Sequence, residues 1–408
     1  MTSNINCRNC RKNKVKKIFD LGKLYFTGKF PSSTNVKLSK GELGLSFCEN
    51  CKLVQLNKSY DSKYLFSKDY GYKTGINSTM RNHMKDVFDI LKGKLKLNNQ
   101  DYILDIASND GTLLNLFPKN CVKVGMDPIL HRYKKEYKNV KFKISDFFSY
   151  KTLKKNGVNN KFKIITALSV FYDLNNPNSF LKDIEKILDD DGICLIENAD
   201  LYSIIKLNMF DTICHEHVAY YSTKIMIEMA NKNNLRIFDI KTNDINGGSL
   251  QYFICKKNSK FKDNHKLIKK ILYKEKIFGL SKKETIENFY KRIFKLKTET
   301  IKLFDEILKK NKKIVGYGAS TKGNVLLQYY NIDKKQIKCI ADRNPYKFGR
   351  YTPGTKIKII SEKEARKTKP DYFFVLPWHF KKEILKREIK IRNKGTKMIF
   401  PLPNLKII

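Results

Sequence analysis

The sequence predicts an α/β protein of several domains, and three observations predict it. Between residues 101 and 258, short apolar runs alternate with helical periods, the rhythm of a parallel sheet with helices on both faces. From residue 311 the same rhythm restarts on a smaller scale. Ahead of both stand two Cys-x-x-C pairs, the spacing of a small metal-bound module. A chain of 408 residues with 41% hydrophobic content can fill two or three cores. Its 12% aromatic content and ten prolines argue against disorder.

Residues 1–60 form the first segment. "CRNC" (Cys7, Cys10) and "CENC" (Cys48, Cys51) offer four thiolates at the spacing zinc takes, and a closed four-thiolate site is structural. Residues 61–100 read as a helical connector, because "INSTMRNHMKDVFDILKG" places apolar residues at helical spacing and ends on Gly93. Over 101–258, "YILDIA", "VKVGMDP", "VKFKISDFF", "FKIITALSVFYDL" and "GICLIENAD" are five strands. A helix is expected to begin at "TLLNLF" after the first of them, and "NSFLKDIEKIL" is the helix after the fourth. "LRIFDIKTND" and "SLQYFICKK" follow so closely that they predict an antiparallel finish. Residues 259–310 are Lys/Glu-rich and helical, a spacer. Residues 311–408 contain "KIVGYGASTKGNVLLQYY", a strand, Gly-rich turn and helix, then strands in "IKCIADRNP" and "DYFFVLPWHF".

The formal charge of +42 invites a polyanionic partner, but the lysines run along the whole length without forming a stripe. They read as solvated surface, and no nucleic acid is expected. No apolar run approaches the roughly 20 residues that span a bilayer. The opening "MTSNINCRNC" has no basic-then-apolar signal. The expectation is a cytoplasmic protein without membrane contact, a monomer or weak dimer, its nine cysteines reduced or metal-bound.

Two turns carry the ligand chemistry. A strand that ends in a Gly-rich turn and feeds a helix presents backbone N–H groups to a ligand. In "DIASNDG", Asp105 ends the strand and Ser108, Asn109, Asp110 and Gly111 form the turn, while Asp127 ends the next strand where a carboxylate reads ribose hydroxyls. A dinucleotide and S-adenosylmethionine (SAM) both fit. The single glycine lacks the pyrophosphate fingerprint and tilts the reading to SAM, with Asn109 and Asp110 facing its cationic part. "GYGASTKG" resembles a phosphate cradle: Gly316, Gly318 and Gly323 permit close approach, and Ser320, Thr321 and Lys322 supply donors. Asp342 ends the following strand, so a nicotinamide-dependent oxidoreductase is a serious alternative.

The third feature is "FDTICHEHVAYY", Phe210 to Tyr221. It is a metal site, an acid/base site or a polar helix. On a helix, His215 and His217 would face opposed sides, unlike the i, i+4 pair of H-E-x-x-H. His83 and His265 read as ordinary helix or surface residues, and His379 as a neighbour of a nucleotide pocket or a packing residue.

These stretches, with "YGYKTG", "FYDLNNP", "NGGSLQYF", "GYGASTKGN", "DRNPYKFGRYTPGTKI" and "LPWHF", resemble the three-domain nucleotide-sugar C-methyltransferases along nearly the whole chain. The resemblance implies a zinc-binding N-terminal domain, a central class I SAM-methyltransferase Rossmann-like domain, and a C-terminal Rossmann-like domain holding a nucleotide-linked 4-keto-sugar. It implies that His217 is the general base beside the ketone. Glu216 orients a residue or exchanges a proton, His215 positions the sugar, and Tyr72 donates to the oxygen, with Tyr70 as substitute. Ser320, Thr321, Lys322, Asn324, Arg350, Tyr351 and Trp378 would hold the nucleotide sugar, Arg350 at its pyrophosphate. One departure stands out: Cys214 occupies the position before "HEH" where the family carries tyrosine. A thiol donates weakly, so O- or N-methylation stays an alternative.

Overall fold

In a computed structural model, residues 6–66 and 72–408 are described. Three sheets build the molecule. At the N-terminus, β1 (Val15–Tyr25), β2 (Lys40–Cys48) and β3 (Val54–Leu56) form an antiparallel meander. The central sheet begins with β4 (Tyr102–Ile106), β5 (Val122–Met126), β6 (Phe142–Ile144), β7 (Phe162–Leu168) and β8 (Leu188–Ala199). The two-residue β9 (Ala219–Tyr220) leaves it to pair with β3, Val54 opposite Tyr220, and so extends the N-terminal sheet. β10 (Leu235–Asn243) and β11 (Ser249–Lys256) return to the central sheet, whose order is β10-β11-β8-β7-β4-β5-β6. The first five of its strands run parallel, and β11 is antiparallel to both neighbours. The expected antiparallel finish is present.

The third sheet holds β12 (Ile314–Tyr317), β13 (Cys339–Asp342), β14 (Lys358–Ser361), β15 (Tyr372–Val375), β16 (Lys397–Phe400) and β17 (Lys406–Ile407), in the order β14-β13-β12-β15-β16-β17. All but β17 run parallel. The inner strands β4, β5, β7 and β12 are almost wholly buried, as strands covered on both faces must be.

The helix Ser78–Lys94 is capped by Asn77, whose carboxamide oxygen accepts the Thr79 N–H at 2.9 Å. Its apolar stripe of Met80, Met84, Val87 and Leu91 covers one face of the central sheet against Ile103, Ile164 and Phe253. It therefore packs as a layer of that sheet and continues one residue past Gly93. The helix expected at "TLLNLF" is replaced by a single 3-10 turn, Leu114–Leu116. Pro118 follows two residues later, and the face is already covered by the preceding helix, so nothing favours extending it.

The helix Lys283–Lys309 braces the assembly. Tyr290 stacks on Phe19 of β1 at 4.8 Å, Phe289 meets Phe19 edge-on, and Phe304 meets Phe374 of β15 at 4.9 Å. N-terminal strands, this helix and the C-terminal sheet share one apolar core, so the cores run across the segments that composition suggests. Among the described residues no helix is long and apolar enough to cross a membrane. Phe289→Ala is expected to destabilise the protein by about 3–5 kcal/mol. Phe294→Ala, at a side chain 59% exposed, should stay within about 0.5 kcal/mol. Thermal and urea melts of the two variants check the contrast.

Candidate active site

The C-terminal edges of the central and third sheets open onto one cavity of about 460 Å³. This is where open α/β sheets bind ligands, at the ends of the strands where the order reverses.

At one end of the cavity stand Asp105, Ser108, Asn109, Asp127, Asp146 and Phe147. Asp127 accepts the Asn109 N–H on Oδ2 and the Ile129 N–H on Oδ1, each at 2.9 Å. Each oxygen keeps a lone pair for a ligand hydroxyl. Burial raises its pKa, and the two N–H groups oppose that. Asp105 accepts the Thr166 hydroxyl at 2.6 Å, and burial pushes its pKa up to about 7. Two expected residues do other work. Asp110 does not line the cavity: it accepts the Gly75 N–H at 2.8 Å and the Thr112 hydroxyl at 2.6 Å. Gly111 packs under the Tyr137 ring at φ +73°, where a Cβ would stand 2.9 Å from that ring. Asn109 lines the cavity, yet its amide oxygen accepts the Thr74 N–H at 2.9 Å. Asn109 and Asp110 thus tie down the chain after Tyr72, which itself lines the cavity. Tyr70 lies outside the described residues.

The "HEH" segment is a loop between the 3-10 turn Phe210–Thr212 and β9, not a helix. Its histidines diverge. His215 is fully buried, its Nε2 3.1 Å from the Gly41 carbonyl and its ring edge-on to Phe26 and Tyr60. It faces the N-terminal sheet and is absent from the cavity wall, which leaves no reach to a sugar. His217 lines the cavity under the Tyr172 ring, 4.3 Å away. Its Nδ1 lies 2.7 Å from the Thr212 carbonyl. A carbonyl only accepts, so Nδ1 carries the proton and Nε2 keeps its lone pair. Burial, then the Lys322 charge, lower its pKa to about 3. Glu216 lines the cavity, accepts from Thr27 at 3.3 Å and is hydrogen-bonded to the Cys214 thiol; burial raises its pKa. Cys214 itself is fully buried.

From the third sheet, Ser320, Thr321, Lys322, Lys347 and His379 reach the cavity. The glycines beside them are closed by protein. A Cβ at Gly318 would meet Pro377 at 2.5 Å, at Gly323 Leu376 at 2.8 Å, and at Gly316 Ile340 at 2.5 Å. Tight packing therefore accounts for "GYGASTKG" better than a phosphate cradle does. Four expected residues are turned elsewhere. Asn324 is fully buried and donates to the Thr27 carbonyl at 2.7 Å. Arg350 donates to the carbonyls of Tyr346 and Phe30. Tyr351 joins Pro31 through its backbone, and Trp378 donates its indole N–H to Asp211 at 2.9 Å. Each satisfies a group at a domain junction and none lines the cavity.

Sequence reasoning missed Asp146, Tyr172, Asp173, Glu197 and Lys347, all on the wall. Asp146 and Glu197 stand at strand ends, a position that marks ligand-facing residues in such sheets. Glu197 is buried and paired with His83 at 2.9 Å, so His83 is no surface residue. Asp173 has a buried Oδ1 without a hydrogen-bond partner, and burial, then Glu216, raise its pKa strongly.

The sulfurs of Cys7, Cys10, Cys48 and Cys51 lie within 4.8 Å of one another, with Cys7–Cys51 at 3.4 Å and Cys10–Cys48 at 3.6 Å. Tetrahedral zinc at about 2.3 Å from each thiolate needs sulfurs about 3.8 Å apart. The four cysteines fit zinc.

Three family models tile the chain: a zinc binding domain over residues 7–66, a methyltransferase domain over 76–239, and a C-methyltransferase C-terminal domain over 244–403. The C-methyltransferase NovU of Streptomyces niveus is 25% identical over 374 residues, 90% of this chain and 87% of its own. Among solved structures, magnesium protoporphyrin IX methyltransferase of Synechocystis PCC 6803 with bound SAM matches 43% of this chain and 79% of its own at 10% identity and a TM-score of 0.33. A SAM-dependent methyltransferase of Clostridium acetobutylicum ATCC 824 matches 42% and 89% at 12% identity and 0.34. Likeness at that level bears on neither substrate nor residue roles.

Three outcomes are expected. The imidazole of His217 should stay neutral, with the proton on Nδ1, from pH 8 down to pH 5, as ¹⁵N NMR would read. The unfolded histidines take up protons below about pH 6.5 while the folded His215 and His217, at about 4 and 3, do not. The two histidines should therefore withdraw stability as pH falls from about 6.5 towards 4, while the raised carboxyls of Asp105, Asp173 and Glu216 act in the opposite sense; urea melts of wild type and His215→Phe across that range separate the two. Asp127→Asn removes one charged acceptor and should weaken SAM binding about tenfold by calorimetry.

Proposed function

We propose, on the premise that this chain belongs to the three-domain SAM-dependent C-methyltransferases with an N-terminal zinc site, that it methylates a carbon beside the ketone of a nucleotide-linked keto-sugar. The observation that carries this reading is the position of His217. Its unprotonated Nε2 belongs to a cavity that joins the strand ends of the central sheet to the donors of the third.

SAM, when bound, supplies a methyl group on a positive sulfur. Asp105, Ser108, Asn109 and Asp127 would hold it, with Asp127 at the ribose. A carbon beside a ketone is inert until it loses a proton. His217 removes it; the Thr212 carbonyl fixes the ring and its tautomer, and the Tyr172 ring packs against it at a tilt of 56°. Glu216, whose burial favours the protonated acid, can donate to a substrate oxygen. Ser320, Thr321 and Lys347 would hold the nucleotide side, and the hydrophobic wall of Met80, Phe148 and Phe180 excludes water.

The test is a mass-spectrometric assay with SAM and a panel of nucleotide 4-keto-6-deoxy-sugars, with the product examined by NMR. One added methyl on carbon is expected, and His217→Ala should lower kcat at least about 100-fold without changing SAM affinity. A methyl on oxygen or nitrogen would overturn carbon as the acceptor. Unchanged turnover in the variant would remove His217 as base.

A further inference from the structure

Removing a proton beside a ketone leaves a negative oxygen two bonds away. The group that neutralises it must stand beside the base, in a site that excludes water. Tyr72 also lines the cavity but is 43% exposed, which is a poor place for a group that must act where water is excluded. Glu216 and Asp173 add further acid on the same wall.

Two lysines, Lys322 and Lys347, share the cavity wall with the base, and the charge of Lys322 acts on it. Lys322 lines the cavity, and its Nζ donates to the Asn246 carbonyl at 3.2 Å. One partner leaves two of the three ammonium protons for a ligand. Its charge acts on both His217 and His379, and it interacts with Asp211 and Cys214. Asp211 is anchored by the Trp378 indole and keeps its Oδ1 without a hydrogen-bond partner, a buried counter-charge for the lysine. His379 also faces this point, its buried Nδ1 unpartnered. The lysine comes from the helix Thr321–Tyr330 of the third sheet, while the base comes from a loop attached to the second. The packed glycines around Lys322 argue against a turn shaped for phosphate.

We propose that Lys322 is a catalytic residue that donates to the enolate oxygen of the keto-sugar, so that the C-terminal domain completes the catalytic site. The inference rests on the carbon-methylation reading above. His217 takes the proton, the C–H electron pair becomes the carbon–carbon double bond, and the carbonyl electrons move onto the oxygen that Lys322 faces. The carbon then attacks the SAM methyl, the ketone re-forms, S-adenosylhomocysteine leaves, and the proton departs from His217 to solvent.

Deuterium exchange at the carbon beside the ketone, followed by NMR in heavy water without SAM, isolates the enolate step. The probes are thymidine- and uridine-diphosphate 4-keto-6-deoxyglucose. Binding of thymidine or uridine diphosphate is measured alongside by calorimetry. Lys322→Met should lower exchange and kcat about 100-fold or more while nucleoside diphosphate affinity changes less than about threefold. Lys322→Gln, which keeps a neutral donor, should fall between, and it serves as the second test if the methionine variant does not fold. Weakened diphosphate binding with unchanged exchange at saturation would make Lys322 a pyrophosphate ligand and overturn the proposal. No effect on either would do the same. No exchange by the wild-type protein with either sugar would instead overturn the keto-sugar reading, and this proposal with it.

Discussion

The segment from Asn208 to Tyr221 is the constraint on which the site depends, because it is bonded to all three sheets at once. Asn208 donates to the Pro403 carbonyl at 3.0 Å, and Asp211 accepts from Trp378. His215 reaches Gly41, Val218 donates to Tyr172 at 2.8 Å, and Ala219–Tyr220 becomes a strand of the N-terminal sheet. A buried loop must satisfy its backbone and side-chain polar groups somewhere. Here most of them bond to neighbours from every direction, Asp211 Oδ1, His215 Nδ1 and the Tyr221 hydroxyl excepted, and that fixes the ring of His217 between them.

The chemistry of the pocket follows from what is buried without a charge partner. Burial disfavours charge on both the imidazoles and the carboxyls of the wall. His217 stays neutral and able to accept a proton, while Glu216 and Asp173 are pushed towards their protonated forms. Imidazole and carboxyls thus stand on one wall without mutual neutralisation. Burial also lowers the Lys322 pKa, and the Asp211 carboxylate opposes that, so the lysine keeps its charge only with a counter-ion beside it.

The N-terminal module contributes by position. Its cysteines lie within reach of one ion, and the adjoining Arg8 donates to the Leu56 carbonyl at 3.1 Å and to Ser59 at 2.6 Å. Asn9 accepts from Asn178 of the helix Pro177–Ile187 at 3.0 Å. The metal therefore stabilises a knuckle that is docked on the central domain, and the meander beyond it supplies the carbonyl that holds His215.

Much was legible in the sequence. Strand runs such as "YILDIA" and "GICLIENAD" name themselves by apolar continuity and length, and C-x-x-C spacing names zinc ligands, because both are local rules. Asp105, Asp127 and His217 were readable from their places at strand ends or in a dense polar motif. Direction was not. His215 and His217 are two residues apart, and only the placement of the N-terminal sheet sends one to Gly41 and the other to the cavity. Asn324, Arg350, Tyr351 and Trp378 share motifs with cavity residues yet turn to domain junctions. Glycines that suggested a phosphate cradle are closed by Pro377 and Leu376, from the bend after β15, more than fifty residues away. Local patterning determined which elements form and which groups are available; the packing of three sheets decided which of those groups face a ligand, because side-chain direction in a buried loop is set by partners distant in the chain.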